Sequence, residues 1–153
     1  MLLIILNLKS NMELKEVINK RHSVRVFQDK DVPDEILEEL IALARKSPSA
    51  GGIRGYQVII TREKIISYNA PVCIVICIDS EKYTIRYGDR GENLYAIQDS
   101  AIFAAYLQLL LVDAGLASVW IGSFREGKIQ RSLNTKLRPI AIIAIGYQKD
   151  ILG

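Results

Sequence analysis

The sequence LYAIQDSAIFAAYLQLLLVDAGLASVWIGSF, residues 94–124, decides the fold that we expect for this chain. Residues 94–114 contain no Gly or Pro and are rich in Ala and Leu, which favour helices. They predict a helix about 30 Å long, and because it is apolar nearly all round it should be buried on most faces. A membrane span needs about 20 consecutive apolar residues, and Asp99, Gln108 and Asp113 interrupt this run. We therefore predict a core helix.

The residues that follow this helix are small or β-branched. Gly115 is placed to end the helix, and residues 117–121 read as a short strand that contains the only Trp, Trp120. Gly122 then ends the strand. In so small a chain, a helix that is apolar on every side predicts a second subunit over one face. This short strand, flanked by glycines and small residues, suits a flat ligand.

The rest of the chain alternates loosely between helical and strand patterns. Apolar spacing predicts further helices and nearly continuous or alternating apolar runs predict further strands, while a polar segment is interpreted as a lid or connecting loop. This indicates an α/β or α+β fold in which helices cover a small sheet. The predicted helices are residues 13–21, 32–46 and 128–133, the predicted strands are 56–61, 71–79 and 139–147, and the predicted loop is 80–93.

Length and composition limit the possible classes of protein. The 153 residues, half of them apolar, predict one domain with a sizeable core. The net charge of +3 is too small to argue for nucleic acid. Cys73 and Cys77 fall in one predicted strand, about 13 Å apart, too far for a disulfide. Two unpaired thiols indicate a reducing compartment and predict a cytoplasmic protein without a membrane partner.

The first residues have two possible interpretations. Residues 1–8 contain a short apolar run without a basic region before it, which makes a poor signal peptide. Met12 precedes an ordinary helix start. Residues 1–11 are therefore either the product of a mis-set translation start or an extra edge strand, and residues 12–153 are the predicted domain.

Several kinds of catalytic site are excluded by what the sequence lacks. A single His and the absence of CxxC and HxxxH motifs exclude an ordinary zinc site, and no metal site is predicted. There is no GxSxG motif and no Walker loop. An enzyme of this size without a protein-borne nucleophile would take its chemistry from a cofactor.

Two polar clusters are candidates for ligand binding. Arg21, Ser23 and Arg25 alternate, so an extended segment points all three side chains the same way, and guanidinium groups with a hydroxyl suit a phosphate. The alternative is a solvated basic edge. The second cluster is the loop of small residues at 47–52, which lets backbone N–H groups approach a flat ligand. Its alternative is a plain helix-to-strand turn.

Four segments together resemble the nitroreductase-like flavoproteins. The order and spacing of all four match across residues 13–147, which is more specific than any one motif. RHSVRVF (21–27) resembles the family's R-x-S-x-R-x-F opening, and SPSAGGIRGYQV (47–58) falls without a gap on its S-P-S-x-x-N-x-Q-P-W loop and strand. GLASVWIGSF (115–124) resembles its GLG…W-x-G-x-F segment, and PIAIIAIGY (139–147) resembles its last core strand.

The resemblance implies an α+β fold with a small mixed sheet flanked by helices and a long central helix at a dimer interface. It implies an FMN-dependent oxidoreductase that takes hydride from NADH or NADPH and passes electrons to a nitro, quinone or similar small acceptor in a ping-pong scheme, with FMN at each interface of a homodimer. No catalytic side chain is assigned. The cofactor-binding residues that the resemblance implies are Arg21, His22, Ser23, Arg25, Pro48, Ser49, Ala50, Gly51, Gly52, Arg54, Trp120, Ile121 and Gly122.

Within that set the resemblance implies different roles. Arg21 and Ser23 would hold the FMN phosphate and ribityl chain, and Arg25 would approach the pyrimidine edge of the ring. Residues 48–50 would come from the other subunit. Residues 120–122 would line the isoalloxazine, with a backbone N–H near its reactive nitrogen.

The sequence also departs from the family pattern. Gly52 and Arg54 stand where the family commonly has Asn and Gln beside the flavin, and the chain stops six residues after Tyr147, whereas many members continue in an arm that embraces the partner. The segment KYTIRYGDRGENLY (82–95) resembles the thiazoline-dehydrogenase-like branch. Three alternatives therefore stay open: a non-catalytic flavin-binding protein, a flavin dehydrogenase of a peptide-derived ring, and a protein without flavin.

Overall fold

The computed structural model of the protein describes residues 12–66 and 68–150. Both interpretations of residues 1–11 therefore lie outside the described residues. The helices are α1 (Leu14–Lys20), α2 (Asp34–Ala44), α3 (Ser80–Arg90), α4 (Ala96–Asp113) and α5 (Glu126–Leu133), and the strands are β1 (Tyr56–Thr61), β2 (Val72–Ile78), β3 (Ala117–Ile121) and β4 (Arg138–Gly146). Two short turns complete the order, a 3₁₀ turn at Ala50–Gly52 and a π-helical turn at Gly91–Tyr95.

Within the described residues, the strands form one four-stranded sheet in the order β1-β2-β4-β3, and each neighbouring pair is antiparallel. The resemblance implies a small mixed sheet, whereas the described strands pair antiparallel throughout and the parallel pairing among the described residues is an isolated bridge between Ser23 and Ser118 of β3. The predicted bounds of β1 and β3 are confirmed to the residue. Those of β2 and β4 differ by one residue at each end.

The sheet is covered on both faces. Every residue of β2 is buried, so it occupies the centre of the sheet, as a nearly continuous apolar run predicts. Ile74 and Ile76 point to the face that carries α2 and α4, where Phe103 and Leu107 are fully buried. The other face packs against Ile129 of α5. This is the predicted α+β arrangement.

The predicted central helix is α4, and it begins two residues later and ends one residue earlier than expected. Gly115 ends it with a positive φ of 76°. Its N–H donates to the carbonyl of Val112 at 2.9 Å, and the N–H of Leu116 donates to that of Leu111 at 2.8 Å. These two bonds are the Schellman pattern, in which a glycine takes the left-handed conformation and satisfies the last carbonyls.

The continuous helical run from Ser80 to Asp113 is long and apolar enough, by length and composition, to cross a membrane. Its most apolar part is explained by the protein core, because Phe103, Ala104 and Leu107 have no exposed surface and pack under the sheet. Phe103 and Ala104 are therefore not available to a partner helix. Helical periodicity turns both side chains toward the sheet of their own chain.

The interpretation of residues 80–93 as a lid or loop is wrong. The segment is helical, and a positive φ of 56° at Gly88 kinks it before the π-helical turn that leads into α4. Its polar composition is misleading because α3 exposes most of its surface and buries Tyr83 alone. A single buried side chain leaves too weak an apolar pattern to predict a helix.

The two cysteines are buried free thiols in β2, as predicted. Their side chains lie on the α5 face of the sheet. Burial raises the pKa of both Cys73 and Cys77 to about 11, because the thiolate would lose its hydration. Both thiols are therefore protonated and unreactive at neutral pH.

Candidate functional site

The first group of predicted site residues follows α1. Arg21 is the last residue of its C-terminal turn, and the chain then extends along β3, where the N–H of Val24 donates to the carbonyl of Ser118 at 2.9 Å. Val24 is buried, whereas Arg21, Ser23 and Arg25 are exposed. The predicted alternation is thus confirmed at these positions, although only isolated bridges at Ser23 and Phe27, and no regular strand, hold the segment.

This group presents cationic side chains that are not neutralised by the described part of the chain. The guanidinium groups of Arg21 and Arg25 have no hydrogen bond or ion pair with any described residue, and only the backbone N–H of Arg21 is bonded, to the carbonyl of Val17 at 3.0 Å. The nearby carboxylate of Glu16 is paired with Lys20 at 2.7 Å. The ring of His22 is hydrogen-bonded through Nδ1 to the carbonyl of Lys20 at 2.9 Å. The two guanidinium groups are therefore available to an anion.

The C-terminal part of β3 belongs to the same group. Trp120 and Ile121 are half-buried, Gly122 is exposed, and a Cβ at Gly122 would meet no atom. The strand is attached to α4 by a buried polar pair in which Nε2 of Gln108 donates to Oγ of Ser118 at 3.3 Å. The bridge at Ser23 adjoins this same serine, so the cationic segment and residues 120–122 lie on one edge of the sheet.

The second group is the loop between α2 and β1. Its backbone turns sharply, with positive φ angles of 56° at Gly51, 69° at Gly52 and 48° at Arg54. Pro48, Gly51 and Gly52 are exposed, whereas Ser49 and Ala50 are half-buried. A left-handed backbone is accessible to glycine without strain, which explains the two adjacent glycines.

A carboxylate that sequence reasoning did not place in the site holds this loop. Asp99 of α4 is 3% exposed and accepts hydrogen bonds from Oγ of Ser49 at 2.6 Å and from the N–H of Ala50 at 3.1 Å. It also accepts the hydroxyl proton of Tyr83 at 2.7 Å. The available signal was the acidic residue itself, because a buried charge within an apolar helix needs partners.

Tyr83 is the second residue that the sequence did not single out. Its ring is fully buried and its hydroxyl oxygen accepts the N–H of Gly55 at 3.1 Å. Burial and the hydrogen bond to Asp99 both raise its pKa well above the usual range. The phenol therefore stays protonated and acts as a fixed donor to Asp99.

Arg54 turns back onto its own loop. Its guanidinium group donates to the backbone carbonyls of Arg45 and Ser47, just beyond the C-terminal end of α2, and to that of Gly52 within the loop. The family resemblance implies a position for this residue beside the flavin. In the single chain its guanidinium group instead satisfies backbone carbonyls that follow the C-terminal end of a helix.

We expect Arg54→Gln to act through the loop. Loss of these hydrogen bonds should lower the free energy of unfolding by about 1 kcal/mol. Any change in the reduction potential of a bound flavin should accompany this loss of stability, because the guanidinium group acts through the backbone carbonyls that shape the loop. Thermal unfolding and a spectroelectrochemical titration check the two effects. A lower potential with unchanged stability would instead place the guanidinium at the flavin.

One chain does not bring the two groups together. The loop is attached to α4 at Asp99, and the cationic segment is attached through Ser118 at Gln108, about 14 Å further along the helix. The loop also precedes β1, whereas residues 120–122 end β3, and these strands are opposite edges of the sheet, about 14 Å apart. Each group is therefore part of a site at most.

A small antiparallel sheet with a buried central helix packed on one face defines the α+β class that the family resemblance implied. A family model described as the nitroreductase family matches residues 18–68 and 65–147. The chain belongs to the nitroreductase family.

Individual relatives agree with this assignment. A protein of Methanothermobacter thermautotrophicus, described as a candidate NADH dehydrogenase/NAD(P)H nitroreductase, is 30% identical over 163 residues, covering 94% of this chain and 82% of its own. A nitroreductase family protein of Clostridium difficile 630 has a TM-score of 0.80 at 31% identity, covering 93% of this chain and 88% of its own. An FMN-dependent nitroreductase of C. difficile R20291 has a TM-score of 0.72 at 29% identity, covering 88% and 87%. These names support a general oxidoreductase.

Proposed function

We propose that the protein is an FMN-dependent oxidoreductase that takes hydride from NADH or NADPH and passes electrons to a small acceptor such as a nitro compound or a quinone. The observation that carries the proposal is the exposed pair Arg21 and Arg25 beside β3, unpaired among the described residues, in a chain of the nitroreductase family. The names of the relatives from M. thermautotrophicus and C. difficile R20291 support the cofactor and the electron donor.

The chemistry of the donor set fits this cofactor. Arg21 and the Ser23 hydroxyl supply charge-assisted and neutral hydrogen bonds to a phosphate. Arg25 supplies positive charge for the pyrimidine end, which favours a reduced, anionic ring. The half-buried Trp120 and Ile121 offer apolar surface, and the exposed Gly122 leaves room for close approach of a flat ring.

When bound, FMN would supply the redox chemistry, accepting hydride from a nicotinamide and returning electrons to the acceptor in a ping-pong scheme. The protein's own residues bind and orient it. No side chain needs to move a proton in the hydride step, which agrees with the assignment of no catalytic side chain. The loop of residues 48–52 would close the site, because its small side chains let its backbone approach the flavin ring closely.

We further propose a homodimer in which the loop of one subunit completes the site of the other. The separation of the two groups within one chain supports this arrangement, because both resemble cofactor-binding segments. The surface formed by α1 and α4 also supports it: Leu14 is 65% exposed, Ile18 52% and Tyr106 45%, and Ala105 is exposed among them. These side chains form an apolar surface that a second copy would bury.

Other partners and the location follow from charge and thiol chemistry. The net charge of +3 gives no reason to propose nucleic acid as a partner, and the apolar helix α4 is explained by the core, so no membrane partner is proposed. Two buried free thiols support a reducing, cytoplasmic location.

The proposal is tested by one titration. Protein purified with added FMN and freed of excess should keep the visible absorption of flavin, and anaerobic NADH or NADPH should bleach it within seconds to minutes. Free FMN at equal concentration is the control. A coloured protein that neither nucleotide bleaches would favour the flavin-binding or ring-dehydrogenase alternative, and a colourless protein that ignores FMN would contradict the proposal.

A further inference from the structure

Asp99 is a buried carboxylate in an otherwise apolar stretch of α4. Its oxygens receive three kinds of donor, the Ser49 hydroxyl at 2.6 Å, the Ala50 N–H at 3.1 Å and the Tyr83 hydroxyl at 2.7 Å. None of these donors belongs to α4. These hydrogen bonds therefore join the helix to two other segments.

The same network reaches the far end of the loop. Ser49 Oγ also accepts the N–H of Arg54 at 2.8 Å, and the Tyr83 hydroxyl accepts the N–H of Gly55 at 3.1 Å. Both ends of the loop 49–55 are thus closed on one carboxylate and its two hydroxyl partners. We call Asp99, Tyr83 and Ser49 the loop clamp.

The loop clamp decides which groups of the loop can reach a ligand. The Ser49 proton and the Ala50 N–H are both used by Asp99, and the N–H groups of Gly52 and Ile53 donate to carbonyls within the turn. The N–H groups of Ser49 and Gly51 have no hydrogen-bond partner among the described residues, and the carbonyl of the exposed Gly51 accepts Nη1 of Arg86 at 3.1 Å. The clamp therefore leaves two backbone donors of the loop unused within the described part of the chain.

A buried carboxylate is a costly way to stabilise a core. A pair of buried polar groups is often no more stabilising than apolar residues of the same volume. What the carboxylate adds is a single loop conformation, because each donor it accepts fixes one backbone position. The free-energy cost of burying the Asp99 carboxylate is explained if a ligand requires one fixed position of the loop.

We propose that Asp99 and Tyr83 are positioning residues that hold the Ser49–Gly55 loop against the flavin. This inference rests on the proposed function. Neither residue touches the cofactor; both act through Ser49, Ala50 and Gly55. Loss of the clamp should therefore change cofactor affinity and potential as well as the loop.

The test compares three variants with the wild type. Asp99→Asn keeps the shape of the side chain but removes its charge and replaces an acceptor with a donor, and Tyr83→Phe removes only the hydroxyl. Ser100→Ala is the matched control, because its buried hydroxyl donates to the carbonyl of Ala96 within α4 and has no hydrogen bond to the loop. The measurements are amide hydrogen exchange in FMN-free protein, the Kd for FMN and the reduction potential of the bound flavin.

We expect Asp99→Asn to speed exchange at the Ala50 and Arg54 amides at least tenfold, and Tyr83→Phe to do so at Gly55, because each loses a hydrogen bond that protects the amide. Both should weaken FMN binding about tenfold and shift its potential. Ser100→Ala should change none of these. If Asp99→Asn does not fold, Ser49→Ala, which removes both bonds of that hydroxyl, replaces it.

The outcomes separate this inference from the proposed function. A wild type that binds no FMN contradicts the function, and this is known before any variant is made. Faster exchange with unchanged FMN affinity and potential would show that the clamp serves the fold alone and would overturn the inference. Unchanged exchange in every clamp variant would overturn it as well.

Discussion

Ala105→Glu is expected to convert the protein into a monomer that binds FMN at least a hundredfold more weakly. Ala105 lies on the exposed surface of α4 beside Tyr106, which is 45% exposed in the single chain. In the proposed dimer this surface is buried, and a carboxylate buried there without a partner costs several kcal/mol. Sedimentation velocity and an FMN titration measure the two effects together.

The exposure of Ala105 in the single chain makes this variant informative. Because Ala105 is exposed within its own chain, Glu is compatible with the folded subunit, whereas Ala104 has no exposed surface and could not be used. Ala42→Glu is the matched control, since Ala42 is an exposed helical alanine on α2. Ala42→Glu should keep the dimer and the cofactor.

The coupling between FMN binding and dimerisation gives a second measurement, which uses the wild type. If FMN binds only at the interface of the dimer, added FMN should raise the apparent stability of the dimer. A wild type that is monomeric at micromolar concentration and still holds FMN would contradict the shared site. A dimer that survives Ala105→Glu would place the interface elsewhere.

Arg21→Ala is expected to weaken FMN binding by about 1.5–3 kcal/mol, the usual contribution of a hydrogen bond to a charged group. The physical reason is that Arg21 is exposed and unpaired among the described residues, so nothing in the described part of the chain competes with the phosphate for its guanidinium group. Isothermal titration of the FMN-free protein measures the change.

Binding of riboflavin, which lacks the phosphate, measures the contribution of the ring separately from that of the phosphate. Riboflavin should bind the wild type poorly, and Arg21→Ala should not weaken its binding further, because it lacks the phosphate. Arg131→Ala, at an exposed arginine of α5, is the matched control. Equal affinity of Arg21→Ala and the wild type for FMN would contradict the phosphate site and support the alternative interpretation, a solvated basic edge.

Much of the fold was predictable because the signals are local. The helix α4 was recognised from an apolar run without Gly or Pro, β3 from a short β-branched run between Gly115 and Gly122, and β2 from continuous apolar residues. The alternation around Ser23 also placed Val24 and Val26 opposite the polar side chains, and Val24 is buried whereas Val26 is 45% exposed. Each of these patterns depends only on neighbours in the chain.

The errors arise where distant residues decide the outcome. Helix α3 buries only Tyr83, so its sequence resembles a loop, and its helical state is supported by a hydrogen bond to Asp99, sixteen residues away. Arg54 is directed by the carbonyls at the end of α2. The face of α4 that is free to meet a partner depends on where the sheet lies. Phe103 packs against the sheet, so its face is not free.

The sequence by itself determined the core helix, the two polar clusters and an α/β or α+β fold, because residue spacing and propensity are properties of the chain, and its resemblance to the family selected α+β. Only the tertiary structure decided that the clusters lie at opposite edges of the sheet and that Asp99 and Tyr83 close the loop between α2 and β1. The physical reason is that a hydrogen bond to a buried carboxylate depends on which segments the core brings together. That arrangement follows from burying α4 against the sheet as a whole.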